Sequence, residues 1–155
     1  MALRIGLISD THALLRPQAL DFLQGSDALL HAGDIVDPAT LERLAEIAPL
    51  TSVRGNNDIG TWARAVPEAI TVTFGGVVVH MLHDLKELAI DPVASGVRVV
   101  VTGHTHKPAC IERDGVLYVN PGAAGRRRFA LPVSVGELII DDGQVQVRLV
   151  TLDVA

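Results

Sequence analysis

Short apolar runs separated by short polar breaks fill this chain, and their spacing sets out most of its elements. Leu3 to Ser9 and Ala28 to His31 have the length and character of buried strands. Between them Arg16-Pro17 opens a helix running to about Leu23, since proline is compatible with the first helical turn. Asp37-Pro38 begins a second helix, with Leu41, Leu44, Ala45 and Ala48 at three-to-four spacing and Pro49 as its stop. Leu50 to Arg54 follows as a third strand. A β-α-β-α-β opening predicts a parallel sheet covered by helices. After Trp62 the period changes. Ala69 to Phe74 and Val77 to Leu82 flank Gly75-Gly76 and predict a hairpin, and Lys86 to Ile90 a short helix ending near Pro92. Val97 to Thr102 is another buried strand. Ala109 to Arg113 and Val116 to Val119 flank Asp114-Gly115, a strong hairpin signal, and Val133 to Ile140 turns at Asp141-Asp142-Gly143 to pair with Gln144 to Thr151. Many strands and few helices in the second half suggest two packed sheets flanked by helices.

Composition narrows the class. With 155 residues and 48% hydrophobic content, the chain fits one domain, residues 1–155, with a sizeable core. A net charge of −5 argues against a protein whose main task is gripping a nucleic acid backbone. No charged leader precedes an apolar core at the N-terminus, and no apolar stretch approaches membrane-spanning length, so the expected compartment is the cytoplasm, without a membrane partner. Cys110 is the one cysteine, which excludes an intrachain disulfide and reads as a small buried residue of a strand.

The chemistry sits where the apolar runs stop. Asp10-Thr11-His12 follows the first run, Gly33-Asp34 the second and Asn56 the third, while His83 follows Val77 to Leu82 and Gly103-His104-Thr105-His106 follows Val97 to Thr102. Five strand-like runs thus end in residues that can bind a metal. Imidazoles and carboxylates without a thiolate cluster suit manganese, iron, zinc, cobalt or nickel. The candidates Asp10, His12, Asp34, Asn56, His83, His104 and His106 are too many for one four-coordinate zinc and about right for two divalent ions sharing a carboxylate. His31 and His80 lie inside strand runs and read as buried or sheet-surface histidines.

These motifs, in this order from Arg4 to about Val150, resemble the calcineurin-like metallophosphoesterases, particularly their small branch of bacterial and archaeal phosphodiesterases. The matching segments are Asp10-Thr11-His12, Gly33-Asp34-Ile35-Val36-Asp37, Gly55-Asn56-Asn57-Asp58, Leu82-His83-Asp84, Gly103-His104-Thr105-His106 and Asn120-Pro121-Gly122. The resemblance implies an α/β fold, a four-layer αββα sandwich of two mixed sheets. It implies Asp10, His12 and His106 on one metal, Asn56, His83 and His104 on the other, and Asp34 between them. Manganese is the first choice of ion, and a metal-bridging hydroxide would attack a phosphoester in line. Asp37 is carried over as an outer partner of that centre.

Two positions depart from the family pattern. Many relatives carry a histidine, proposed to protonate the leaving oxygen, where this chain has Asn57. A carboxamide cannot deliver a proton, so acidic leaving groups are expected unless Asp58, His80 or solvent substitutes. Asp84 stands where the family usually has glycine; it would orient His83 or alter substrate access. Arg126-Arg127-Arg128 is either a solvated basic loop or a source of one guanidinium that forks onto phosphate, with Arg16 as a further candidate. The expected activity is hydrolysis of a small-molecule phosphodiester. A phosphomonoesterase, or a scaffold with this fold resembling a retromer subunit, are the alternatives, and the apolar C-terminal half offers a homodimer contact.

Overall fold

The computed structural model of the chain describes residues 2–154. The first sheet has strand order β10-β9-β1-β2-β3, with β1 Leu3–Ile8, β2 Ala28–His31, β3 Leu50–Ser52, β9 Ser134–Asp141 and β10 Gln144–Thr151. Strands β1 to β3 are parallel as the opening predicts, and β9 adds antiparallel to β1, making the sheet mixed. The second sheet has order β4-β5-β6-β8-β7, from β4 Ala69–Phe74, β5 Val77–Leu82, β6 Val99–Val101, β7 Ala109–Arg113 and β8 Val116–Asn120. Both glycine hairpins form in the expected register, Phe74 opposite Val77 and Arg113 opposite Val116.

Side-chain alternation sorts the core into layers. Ile5, Leu7, Leu30, Val79, Met81, Val99, Val101, Leu138 and Ile140 meet between the sheets. On the outer side of the first sheet, Ile8, Leu29 and Val135 are covered by Ala19 and Leu23 of helix α1 (Pro17–Leu23) and Leu44 of α2 (Pro38–Ala45). On the outer side of the second sheet, Val100, Val116 and Val78 meet Leu88, Ile90 and Val97 from the connection between β5 and β6. The αββα layering therefore holds, with a thin fourth layer. The helix expected over Lys86 to Ile90 is a 3₁₀ turn at Leu85–Glu87, capped by Asp84. Nucleating an isolated α-helical turn is unfavourable, and this segment has no room to propagate one.

Other boundaries also shift. Helix α2 stops at Ala45, although Ala48 still packs in the same cluster, because a residue before proline avoids helical backbone. Cys110 is exposed, contrary to the buried reading. It lies on β7, the edge strand of the second sheet, where the apolar period continues without a covering layer. Among the described residues no helix is long and apolar enough to cross a membrane.

Candidate metal centre

The segments leaving β1, β2, β3, β5 and β6 meet at one end of the two sheets, and their backbone there is unusual. Asp10, His12, Asp34, His104 and His106 all have left-handed φ, at 52°, 46°, 58°, 72° and 63°. Such conformations cost on the order of 1 kcal/mol or more for residues with a Cβ and persist only where surroundings impose them. Here the sheet ladder continues past the strand ends to impose them. Asp10 N–H donates to Gly33 O (2.9 Å), His12 N–H to Asp34 O (3.0 Å) and Gly103 N–H to His83 O (3.0 Å).

Two buried carboxylates form the centre. Asp10 Oδ2 accepts from the Ser9 hydroxyl (2.6 Å) and the His104 amide (3.0 Å), which fixes the group. Its Oδ1 is buried without a hydrogen-bond partner and faces His106 Nε2 at 3.3 Å, His83 Nε2 at 3.8 Å and His12 Nε2 at 3.9 Å. Asp34 Oδ2 lies 3.4 Å from His83 Nε2 and 3.5 Å from His12 Nε2. His83 Nδ1–H donates to the Ala32 carbonyl (2.7 Å), which leaves Nε2 aimed at the carboxylates, free to take a proton or a metal ion. The Nε2 atoms of His12 and His83 are buried and unpartnered. Lone pairs facing carboxylate oxygens repel unless a cation lies between them, so this donor set fits a divalent ion.

Two groups have ligand atoms within 4.8 Å of one another, Asp10 with His12 and His106, and Asp10 with Asp34 and His83. The first is the expected trio. The second brings His83 to Asp10 and to Asp34, the carboxylate expected to be shared; the further residues expected there are Asn56 and His104. Those two pair at the rim, His104 Nδ1 to Asn56 Oδ1 at 3.1 Å, with the His104 ring 5.1 Å from that of His83.

The electrostatics agree with a site built for positive charge. Burial by itself would lower the His83 pKa, but the contact with Asp34 and the charges of Asp10 and Asp34 push it up to about 9. Burial opposes ionisation of Asp10, and contacts with His106, His83 and Ser9 outweigh it and hold the carboxyl below its ordinary range. Asp34 is likewise depressed against its burial, through His83 and Asn57. A proton that binds His83 more tightly in the folded state stabilises fully below pH 6.5 and is lost as pH rises through about 9. Protein stripped of metal should therefore melt at falling temperature across that window. A metal-loaded sample should lack this decline, because the cation takes the proton's place. A flat or rising melting curve for the stripped protein would contradict this arrangement.

Several residues take roles that differ from those expected. Asp58 is no proton donor: its carboxylate accepts the backbone N–H of Asp34, Ile35, Val36 and Gly55 at 2.7–2.9 Å, which ties the Asp34 loop to the Asn56 loop. Asn57 donates from its backbone and side-chain nitrogens to the two oxygens of Asp34, both at 2.9 Å. His80 bonds Thr71 within the second sheet, away from the cleft, and cannot substitute as an acid there. Asp37 caps α2 through Thr40 and is no outer partner of the centre. Asp84 Oδ2 faces His104 Nε2 at 3.7 Å and does not orient His83, whose Nδ1 is already taken by Ala32. Arg16 Nε donates to Gly125 O, so that arginine holds a loop.

His31 is fully buried, accepts from Gly33 N–H at Nδ1 and therefore donates from Nε2 to Thr11 Oγ1, cross-linking two of the ligand loops. Burial depresses its pKa to about 4, which keeps it neutral. Asn120, which the sequence offers only as part of the matching Asn120-Pro121-Gly122 segment, donates to Gly103 O and Thr105 Oγ1 and so pins the segment carrying His104 and His106. The cleft above the centre has a volume of about 370 Å³, and Arg126, Arg127 and Arg128 line it with Asn57 and His12.

A family model for the calcineurin-like phosphoesterase superfamily domain matches residues 3–143. The chain belongs to that superfamily. Within it, this phosphoesterase domain is 30% identical to a probable metallophosphoesterase of Methanocaldococcus jannaschii, over 96% of this chain and 81% of that protein. It is 25% identical to a phosphodiesterase of the same organism, over 97% of this chain and all of the other. Among solved structures, an archaeal phosphodiesterase superposes with a TM-score of 0.79 at 25% identity, covering 97% of this chain and 100% of that one. Vacuolar protein sorting 29 of Cryptosporidium parvum shares the fold, with a TM-score of 0.77 at 22% identity over 96% and 97% of the two chains. The phosphoesterase domain thus has its family's two mixed sheets and Asp/His groups able to hold divalent metal.

Proposed function

We propose that the chain is a dinuclear metal-dependent phosphodiesterase, with Asp10, His12 and His106 on one ion, Asn56, His83 and His104 on the other, and Asp34 shared. The observation that carries the reading is the convergence of unpartnered Asp10 Oδ1, His12 Nε2 and His83 Nε2 beneath a cleft rimmed by arginines. Divalent ions there, manganese first and iron, nickel, cobalt or zinc as alternatives, would acidify a water and neutralise phosphate charge. The protein's part is to hold the donors rigidly. Ser9 and the His104 amide fix Asp10, Asn57 fixes Asp34, and Ala32 sets the His83 tautomer. Arg126 to Arg128 supply guanidiniums to the non-bridging oxygens of the substrate.

The diester preference rests on the similarity to an archaeal phosphodiesterase and on Asn57, whose amide is engaged with Asp34 where a proton donor would stand. Without that donor the rate should fall steeply as the leaving group becomes more basic. Asn57→His should flatten that dependence, with the backbone N–H of residue 57 still holding Asp34 Oδ1. An equally steep slope in the variant would remove the role assigned to this position.

The direct experiment strips the protein with chelator and restores Mn, Ni, Co, Zn or Mg singly, with a chromogenic aryl phosphodiester beside its monoester. Metal-restored diester hydrolysis supports the proposal. Faster monoester turnover would favour a phosphomonoesterase, a reading the three cleft arginines support because a dianion needs more positive charge. In that case replacing Arg126, Arg127 and Arg128 with alanine should raise KM for monoesters about tenfold or more. Stoichiometric metal binding with no turnover of either ester would mark a scaffold.

A further inference from the structure

Beside the metal cleft lies a second and larger depression, of about 650 Å³, whose walls share His104 and Arg128 with the cleft itself. Its distinctive lining is apolar: Leu85, Ala109, Ile111 and Tyr118. Leu85 and Ile111 are 40% and 52% exposed, so the groove leaves large aliphatic side chains facing water. Lys86, Lys107 and Arg128 stand around it against the single carboxylate Asp84, a positive surround in a chain of net charge −5.

We propose that this groove is a subsite for an aromatic ester substituent of the phosphodiester substrate. The proposal rests on the phosphodiesterase reading and adds a substrate class to it. Three features select this occupant. The groove adjoins the cleft at His104 and Arg128, which line both, so a phosphate seated over the metals would have the groove beside it for one ester arm. Its size lies within the usual range for pockets that take drug-sized ligands. Its surround is cationic and its floor apolar, which suits a flat apolar group attached to an anion and disfavours a small alkyl ester.

The test uses diphenyl phosphate and dimethyl phosphate, which are symmetric, so either ester arm can occupy the groove. Zinc-loaded protein labelled at the isoleucine and alanine methyls is titrated with each, and both are measured as competitive inhibitors of chromogenic diester hydrolysis. Ile111 and Ala109 methyl signals should shift with diphenyl phosphate alone, and it should bind about tenfold or more tightly than dimethyl phosphate. Ile111→Asp and Leu85→Asp, both at partly exposed positions, should each bring that ratio to about twofold or less. Equal affinity of the two esters, or a ratio that survives both substitutions, would overturn the subsite. So would Ile111→Asp converting a dimer to a monomer with the ratio intact, because the groove would then belong to a second copy pairing along edge strand β7. If chromogenic diester is hydrolysed without a diphenyl preference, the subsite fails and the esterase reading stands. Ile111 shifts without hydrolysis of any diester would leave the groove and sink the esterase reading.

Discussion

Asp34→Asn is expected to lower metal-dependent diester turnover by about a thousandfold while leaving the chain folded. The shared carboxylate supplies charge to both proposed ions, and several kcal/mol of transition-state stabilisation depend on their placement. Each decade in rate corresponds to about 1.4 kcal/mol. Folding survives because an asparagine can still accept at one oxygen from Asn57, whose backbone and side-chain nitrogens now clamp Asp34. The discriminating measurement is the melting temperature with and without metal. At a metal concentration about a thousandfold above Kd the native protein should gain about 4 kcal/mol, on the order of 10 °C for a chain of this size. The variant should lose most of that gain. If it kept both the gain and the activity, Asp34 would not be a ligand.

Gly55→Ala should damage the site without replacing a proposed ligand. A Cβ at Gly55 would overlap Asp34 Oδ1 and the Asp34 backbone nitrogen, and a backbone atom cannot swing aside as a long side chain can. Overpacking of this kind costs about 1–3 kcal/mol. The larger effect falls on rate, since displacing a catalytic group by about 1 Å can cost about 10²-fold. Gly76→Ala is the control: a Cβ there meets nothing within 4 Å, so the left-handed backbone is its main cost. It should lose about 1 kcal/mol of stability and keep its turnover. Equal activity in the two variants would show that the Asp34 loop is not held where the close approach places it.

The fold was legible because strand signals here are strong and local. Gly75-Gly76 and Asp114-Gly115 define hairpin register almost without tertiary help, and β1 to β3 alternate with proline-started helices. What escaped were features that depend on neighbours distant in sequence. Cys110 sits in an apolar run, and only the sheet order reveals that its strand is an edge. The Asp and His groups able to hold a metal were legible as residue types at strand ends, whereas the supporting shell was not. Asp58 reads as one more candidate carboxylate until its four backbone donors are seen. A hydrogen-bonded latch leaves no periodic trace. His31 is similar, its cross-link to Thr11 arising only when β1 and β2 lie side by side.

The left-handed backbone at Asp10, His12, Asp34, His104 and His106 also has a bearing on how such a protein can be evolved in the laboratory. At these positions glycine, and to a lesser degree asparagine, relieves strain that aspartate and histidine maintain. Asp10 and Asp34 are held by their histidine and hydrogen-bond contacts when no ion is present, so the relief is left to His12 and His104. A library screened for heat resistance in chelating buffer would enrich substitutions at those codons first, and its winners would be sturdier and inert. Screening the same library in the presence of the ion would reverse the selection, because each ligand then contributes to the melting temperature.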